Sequence, residues 1–199
     1  RSKWNKRLMK ILYSKKKKNN KTLDDLHLQR KKKIRSNSFS VINIIKDVKK
    51  NGDKALLKYE KRFNQNKIII PNLNQISNSI KSLDKKVKDA IDLAYKRIYK
   101  FHSFQKFKNI SYTDKLKNKL EYKYIPIDSV AIYVPGSTAS YPSSVLMSAI
   151  PAIVAGVKRI IMINPGINGK QNSAVLYAAR KCKIKEIYSI GGPSAIAAA

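Results

Sequence analysis

"VAIYVPGSTASYPSSVLMSAIPAIVAGVKRIIMINPG" (residues 130–166) is the least charged part of a chain in which lysine and arginine outnumber acidic residues by 43 to 12. With Ser129 in front it begins on "SVAIYV" (129–134). That run is apolar and rich in β-branched residues, the pattern of a strand buried on both faces of a parallel sheet. "PGSTASYPSS" (135–144) is a turn-rich loop. A helix is predicted to start at Ser143 or Ser144 and run through Val154, with Gly156 as its C-terminal stop. Pro151 falls inside it and is expected to kink or shorten it, because proline has no N–H to donate. "RIIMIN" (159–164) repeats the buried-strand pattern, and "PGINGKQN" (165–172) is a loop. "SAVLYAARKCK" (173–183) reads as a helix, with Ala174, Leu176, Tyr177 and Ala178 at or near its buried side. "EIYSIGG" (186–192) reads as a third strand, and "PSAIAAA" (193–199) opens another helix.

The order is therefore strand, loop, helix, strand, helix, strand, helix. Helical crossovers between apolar strands predict a parallel sheet in the order 129–134, 159–164, 186–190, flanked by helices: an α/β fold. Such sheets bind ligands at the carboxyl ends of their strands, where helix-start N–H groups attract anions. Two loops qualify, "PGSTASYPSS" and "GGPS". Neither is a G-x-G-x-x-G fingerprint or a Walker A loop. On spacing alone, a nucleotide site and a sheet whose glycines serve only tight turns both stay open.

Upstream the chain is more polar. Residues 1–38 carry the charge blocks "SKKKKNNK" (14–21) and "RKKKIR" (30–35), which read as solvated, flexible chain. A targeting peptide fits less well: alanine is scarce, and Asp24 and Asp25 follow soon. Residues 39–128 read as mainly helical. "FSVINIIKDVKK" (39–50) spaces Val41, Ile44, Ile45 and Val48 on one helical face, with Ser38 or Ser40 as cap. "DKALLKYEKRF" (53–63) restarts a helix with Asp53 at its cap and Ala55, Leu56, Tyr59 and Phe63 near one face. "KIII" (67–70) is a short strand at most. Residues 83–105 form the longest helix candidate, capped by Asp84, with Val87, Ala90, Ile91, Ala94, Ile98 and Phe101 in one stripe. "KLEYKYIPI" (119–127) alternates like a strand leading into the neutral region. Residues 129–199 are the α/β region, read as truncated at its C-terminal end.

At 199 residues and 43% hydrophobic content the chain can bury one ordinary core. No apolar run is long enough for a membrane span. Cys182 is the sole cysteine, which excludes an intramolecular disulfide framework and suits the cytoplasm. With His27 and His102 it has no zinc-ligand spacing, so no metal site is expected from this chain. His102 is either a proton shuttle or a packed helix-end histidine, and its place at the end of the predicted helix favours the second. The formal net charge of +31 invites a nucleic-acid reading. But the basic residues are spread along the chain with many Asn and Ile, the bias an AT-rich genome imposes, and no predicted face interleaves them with aromatics. A basic nucleic-acid binder on an α/β scaffold remains the alternative.

The ordered motifs carry a resemblance. The stretch 130–166 resembles the histidinol dehydrogenase family, in which a Tyr-Val-Pro-Gly strand end leads through a Ser-rich turn to a helix of the type "VLM…A.PA..AGV". "NGDKALLKYEKRF" (51–63), "AYKRIYKFHSFQ" (94–105) and "EIYSIGGPSAIAA" (186–198) are similar to further elements of that family, so the likeness runs from about Val41 to Ala199. It implies the N-terminal half of an NAD-dependent enzyme that oxidises L-histidinol to L-histidine through the aldehyde, with zinc, as a homodimer, and it implies that the α/β region is an incomplete Rossmann-like parallel sheet with flanking helices. It implies that Tyr133 contacts NAD. At the family's second contact, a glutamine, this chain has Ser194, shorter and without an amide. The zinc ligands and the catalytic Glu-His pair of the family align beyond Ala199, so no catalytic residue is expected here and the chain alone is expected to be inactive.

If the basic surface is compositional, DNA binding should be non-specific and should fall steeply with salt, because counterion release supplies nearly all of it. Competition between unrelated duplexes at about 150 mM salt, where the Debye length is about 8 Å, should show no preference. A preference that survives that salt would establish the nucleic-acid alternative.

Overall fold

The structure is a computed structural model that describes residues 17–64, 69–136, 141–166 and 170–199. The chain separates into two compact units, residues up to Ile44 and residues Ile45–Ala199. Helix α1 (Lys17–Asn51) is 35 residues long and starts in the first. The sequence reading begins this helix only after Ser38 and makes residues 83–105 the longest; both points are corrected. Lysine, arginine, leucine and glutamine are good helix formers, so a charge-rich segment without a clean apolar stripe can still be helical.

In the second unit, α2 (Asp53–Phe63) begins at the residue predicted to cap it, so the cap lies one position earlier than predicted. Gly52, at φ 52°, is the N-cap and Asp53 the first helical residue. The carboxyl of Asp47, at the end of α1, accepts from Lys58 Nζ at 2.9 Å, Asn51 Nδ2 at 2.6 Å and Tyr59 Oη at 2.8 Å. The Lys58 bond, helped by the other two, holds this carboxyl down at about 2. Because the folded-state value is depressed, its contribution is full above the ordinary aspartate range and is lost as pH falls toward about 2.

Helix α3 (Leu73–Lys81) is unpredicted, and its cap is Asn72, whose side chain accepts from Asn74 N–H. Helix α4 (Lys85–Ser103) has the predicted Asp84 cap. Ile91 is buried, whereas Val87 and Phe101, at the ends of the predicted stripe, stay exposed. A hairpin follows, β1 (Ile110–Thr113) paired antiparallel with β2 (Lys119–Tyr122), exposed throughout. Ile110, Tyr112, Leu120 and Tyr122 are all open to solvent. "KLEYKYIPI" is thus a strand only over its first four residues, and its partner is β1 rather than the parallel sheet.

The α/β region follows the predicted order: β3 (Ser129–Tyr133), α5 (Pro142–Ala155), β4 (Arg159–Ile163), α6 (Ser173–Lys181), β5 (Glu186–Tyr188) and α7 (Gly192–Ala198). The three strands are parallel in the order β3-β4-β5, with Tyr133 opposite Ile163 and Ile163 opposite Tyr188. Helix α5 ends on Gly156 in the left-handed conformation. Pro151 does not shorten it. The carbonyl four residues back belongs to Met147, an exposed position where water can replace the missing N–H.

One face of the sheet forms the core. Ile132, Val134 and Met162 pack with Val145, Leu146, Ala149 and Ile150 of α5 and with Val175, Leu176, Ala178 and Ala179 of α6. Burying each large side chain contributes about 1.5–3 kcal/mol. The other face is covered less completely, by Ile69, Ile190 and Ala195, and leaves a cleft of about 260 Å³ beside Leu56, Ala131 and Ile161. The strands are therefore not buried on both faces: β3 is an edge strand whose Tyr133 is 39% exposed.

Cys182 caps α6 and is buried in the main core, where desolvation pushes its thiol up to about 12. Since the thiolate is the reactive form, alkylation at pH 8 should be at least about a hundredfold slower in the native chain than in denaturant. Comparable rates, followed by mass spectrometry, would contradict this packing.

Candidate functional site

Three strand ends converge at the carboxyl edge of the sheet. Beyond the last paired residues the ladder continues irregularly: Val134 N–H donates to Ile163 O at 2.8 Å, and Asn164 N–H to Tyr188 O at 3.0 Å. The buried Asn164 side chain donates from Nδ2 to Val134 O at 2.9 Å, tying the end of β3 to that of β4. Gln171 Nε2 donates to Asn164 O at 3.2 Å, and Gly166 N–H reaches Ser189 Oγ at 3.4 Å. Ser189 N–H donates to Ile69 O at 2.6 Å, which fixes the segment entering α3 against the exit of β5.

The exits of β3 and β4 touch backbone to backbone. A Cβ on Gly136 would stand 1.7 Å from Pro165 O, so no other residue fits without moving one loop. A Cβ on Gly191 would stand 2.8 Å from Pro165 Cβ and 3.1 Å from Asn64 Nδ2. The "GGPS" turn is thus packed on both the β4 exit and the end of α2.

Tyr133 ends β3 with its ring half exposed, and its Oη accepts a long hydrogen bond, 3.4 Å, from Gly192 N–H. Gly192 takes φ 65°, the left-handed region that favours glycine. The preceding N–H, of Gly191, donates to Glu60 Oε1 at 2.7 Å, while Asn64 Nδ2 donates to Glu60 Oε2 at 2.8 Å. Ser194 is 1% exposed, and its hydroxyl donates to Gly191 O at 3.0 Å. The structure therefore brings Tyr133 and Ser194 to one turn but presents them differently: the tyrosine ring faces outward and the serine faces in. The N–H groups of the two glycines already have acceptors within the protein, so this turn is not an open cradle for an anion.

Glu60, Asn64, Asn164 and Gly136 are missed by the sequence reading. The close pair of glycines in "GGPS" was the available signal that backbone approaches something there; nothing local marks Glu60. The Ser-rich part of "PGSTASYPSS", residues 137–140, lies outside the described residues, as do 167–169 of "PGINGKQN" and Lys67 and Ile68 of "KIII". His102 ends α4 with Nδ1 2.6 Å from Gln105 Oε1 and its ring edge-on to Phe101. It is remote in sequence from the sheet's carboxyl edge and forms no part of the hydrogen-bond set there. His27 is exposed on α1. Among the described residues no group of three or more His, Cys, Asp or Glu could hold a metal ion.

A parallel sheet with crossover helices and a half-exposed tyrosine at its carboxyl edge defines an α/β protein of the open, helix-flanked class. The sequence matches the family described as histidinol dehydrogenase over residues 28–199, and the chain belongs to that family. It is 78% identical to the histidinol dehydrogenase of Pelagibacter ubique strain HTCC1062 over 191 residues, 96% of this chain and 45% of that protein. It is 44% identical to that of Acinetobacter baylyi over 164 residues, 80% of this chain and 38% of that protein. The crystal structure of histidinol dehydrogenase from Elizabethkingia anophelis is similar at a TM-score of 0.76 and 34% identity, covering 81% of this chain and 38% of that one. The chain spans less than half the length of the relatives it matches. The Pelagibacter likeness takes in most of the lysine-rich N-terminal stretch, so that stretch is shared with an enzyme of the family.

Gly136→Ala should destabilise the chain by about 2 kcal/mol or more, an overpacking cost. Gly192→Ala, where a Cβ meets open space and only the positive φ is strained, should cost about 1–2 kcal/mol. Denaturant unfolding ranks the two; a smaller loss at position 136 would contradict the backbone contact.

Proposed function

We propose that this chain carries the dinucleotide-binding α/β part of an NAD-dependent histidinol dehydrogenase, an oxidoreductase that converts L-histidinol to L-histidine through the aldehyde in histidine biosynthesis. The observation that carries the reading is Tyr133: a half-exposed ring at the carboxyl end of an edge strand, beside the turn that follows β5. That is where a sheet of this kind meets its ligand. Family membership supplies the chemistry, a hydride passing from the alcohol carbon to NAD when the dinucleotide is bound.

The residues here bind and orient. Tyr133 offers an aromatic face to the dinucleotide, and Ser194 contributes from beneath, by tying its hydroxyl to Gly191 O and so shaping the turn. The described residues do not fit zinc, since no three of their His, Cys, Asp or Glu side chains form a group that could hold a metal ion, and no step is assigned to a metal in this part of the protein. The zinc ligands and the proton-moving pair belong, in this reading, to sequence beyond these 199 residues, and the isolated chain is inactive. Residues 1–38 serve as a basic lead-in, 39–128 as a mainly helical support, and 129–199 as the NAD-binding region. The working assembly is a cytoplasmic homodimer without a specific nucleic-acid partner. No helix among the described residues is long and apolar enough to cross a membrane.

Tyr133→Ala in the native polypeptide that carries this chain should weaken NAD binding about tenfold, the scale of one lost aromatic contact of about 1.4 kcal/mol. The unfolding midpoint should move little, because the ring is half exposed. Titration calorimetry with NAD checks it. Equal affinity in mutant and parent would remove Tyr133 from the site.

A further inference from the structure

We infer that Glu60 is a positioning residue of the dinucleotide site: from beneath the Gly191–Gly192 turn its carboxylate sets the peptide that aligns Tyr133. The inference rests on the reading of Tyr133 given above. Glu60 lies on the face of α2 that otherwise buries Ala55, Leu56 and Tyr59. It is 1% exposed, so it cannot touch a ligand itself. A buried carboxylate is costly unless hydrogen-bonded, and an apolar side chain of similar volume would serve packing alone at less cost.

What the carboxylate does is specific. Oε1 accepts from Gly191 N–H at 2.7 Å, a charge-assisted bond, and Oε2 is held by Asn64 Nδ2 at 2.8 Å. The next N–H in the chain, that of Gly192, points to Tyr133 Oη. Two successive amides thus engage two side chains from elements 131 and 59 residues away in sequence. Rotating the Gly191 peptide to follow a displaced Glu60 would also turn the Gly192 amide away from Tyr133. The left-handed φ of Gly192 and the packing of Gly191 on Pro165 leave the turn few other ways to adjust.

The test uses Glu60→Ala, Glu60→Asp and Glu60→Gln in the native polypeptide, read by NAD titration and by hydrogen exchange at the Gly191 amide. Glu60→Asp keeps the charge but withdraws it by one methylene. It should weaken NAD binding at least fivefold and speed Gly191 exchange at least tenfold, as Glu60→Ala should. Glu60→Gln keeps an acceptor oxygen within reach of Gly191 and should stay within threefold of the parent in affinity. Combined with Tyr133→Phe, the loss from Glu60→Asp should be less than the product of the single losses, because both act through one turn. If Glu60→Ala does not fold, the aspartate and glutamine variants decide. Parent-like affinity and exchange in Glu60→Asp overturn the inference, as does an equal loss in Glu60→Asp and Glu60→Gln. A parent that does not bind NAD overturns the dinucleotide reading instead, and Gly191 exchange in Glu60→Asp then still decides whether this carboxylate sets the turn.

Discussion

The backbone contact between Gly136 and Pro165 is the constraint on which the carboxyl edge of the sheet depends. Parallel strands leave their sheet side by side and in the same direction, so the chains after β3 and β4 must either diverge at once or run against each other. Here they run against each other, and the absence of a side chain at Gly136 permits it. Once the two exits are in contact, Asn164 can reach across to Val134 O. The β5 exit packs on the same proline through Gly191. Each close approach makes the next one possible, and the outcome is an edge in which three loops are held by main chain more than by side chains.

That edge is joined to the helical part of the chain at two places. Ile69, ahead of α3, accepts from Ser189, and Glu60 of α2 accepts from Gly191. The helices before the sheet are therefore more than a cover for its apolar faces. They hold the position of the loops. At the opposite, amino edge, Arg159 and Glu186 form a two-pronged exposed pair across β4 and β5 at 2.8 and 2.6 Å. An exposed pair of this kind adds little to stability but fits the register of the strands. The sheet is thus held by an exposed ion pair at its amino edge and by a set of main-chain contacts at its carboxyl edge.

The α/β region was legible because its signals are local. β-Branched runs mark β3 and β4, Gly156 stops α5, and strong turn residues separate the elements, so order and direction follow from chain connectivity. The place of Tyr133 at the carboxyl end of its strand was legible for the same reason, since a strand-to-loop boundary can be read from sequence. Other features were hidden. Helix α3 is made from "LNQISNSIK", whose Asn and Ser compete with the helix for hydrogen bonds, and it exists because Ile76 and Ile80 pack on the core. β1 is four exposed residues paired only with β2, too short to show a pattern. The early start of α1 rests on helix propensity where only charge was visible. Nothing in the local sequence marks Glu60; its partner lies 131 residues downstream, beyond anything periodicity can report.

The β1–β2 hairpin has a colloidal consequence. It presents Ile110, Tyr112, Leu120 and Tyr122 to water on a two-stranded ribbon with both edges unpaired among the described residues. Such ribbons tend to recruit strands from other molecules. The lysines around it, Lys115, Lys117, Lys119 and Lys123, and a net charge of +31 oppose that by mutual repulsion between molecules. Repulsion of this sort is long-range only at low ionic strength, while apolar attraction between ribbons is strengthened by salts such as sulfate. Rising salt therefore shortens the reach of the repulsion that holds two such ribbons apart and leaves the attraction between their apolar side chains in place.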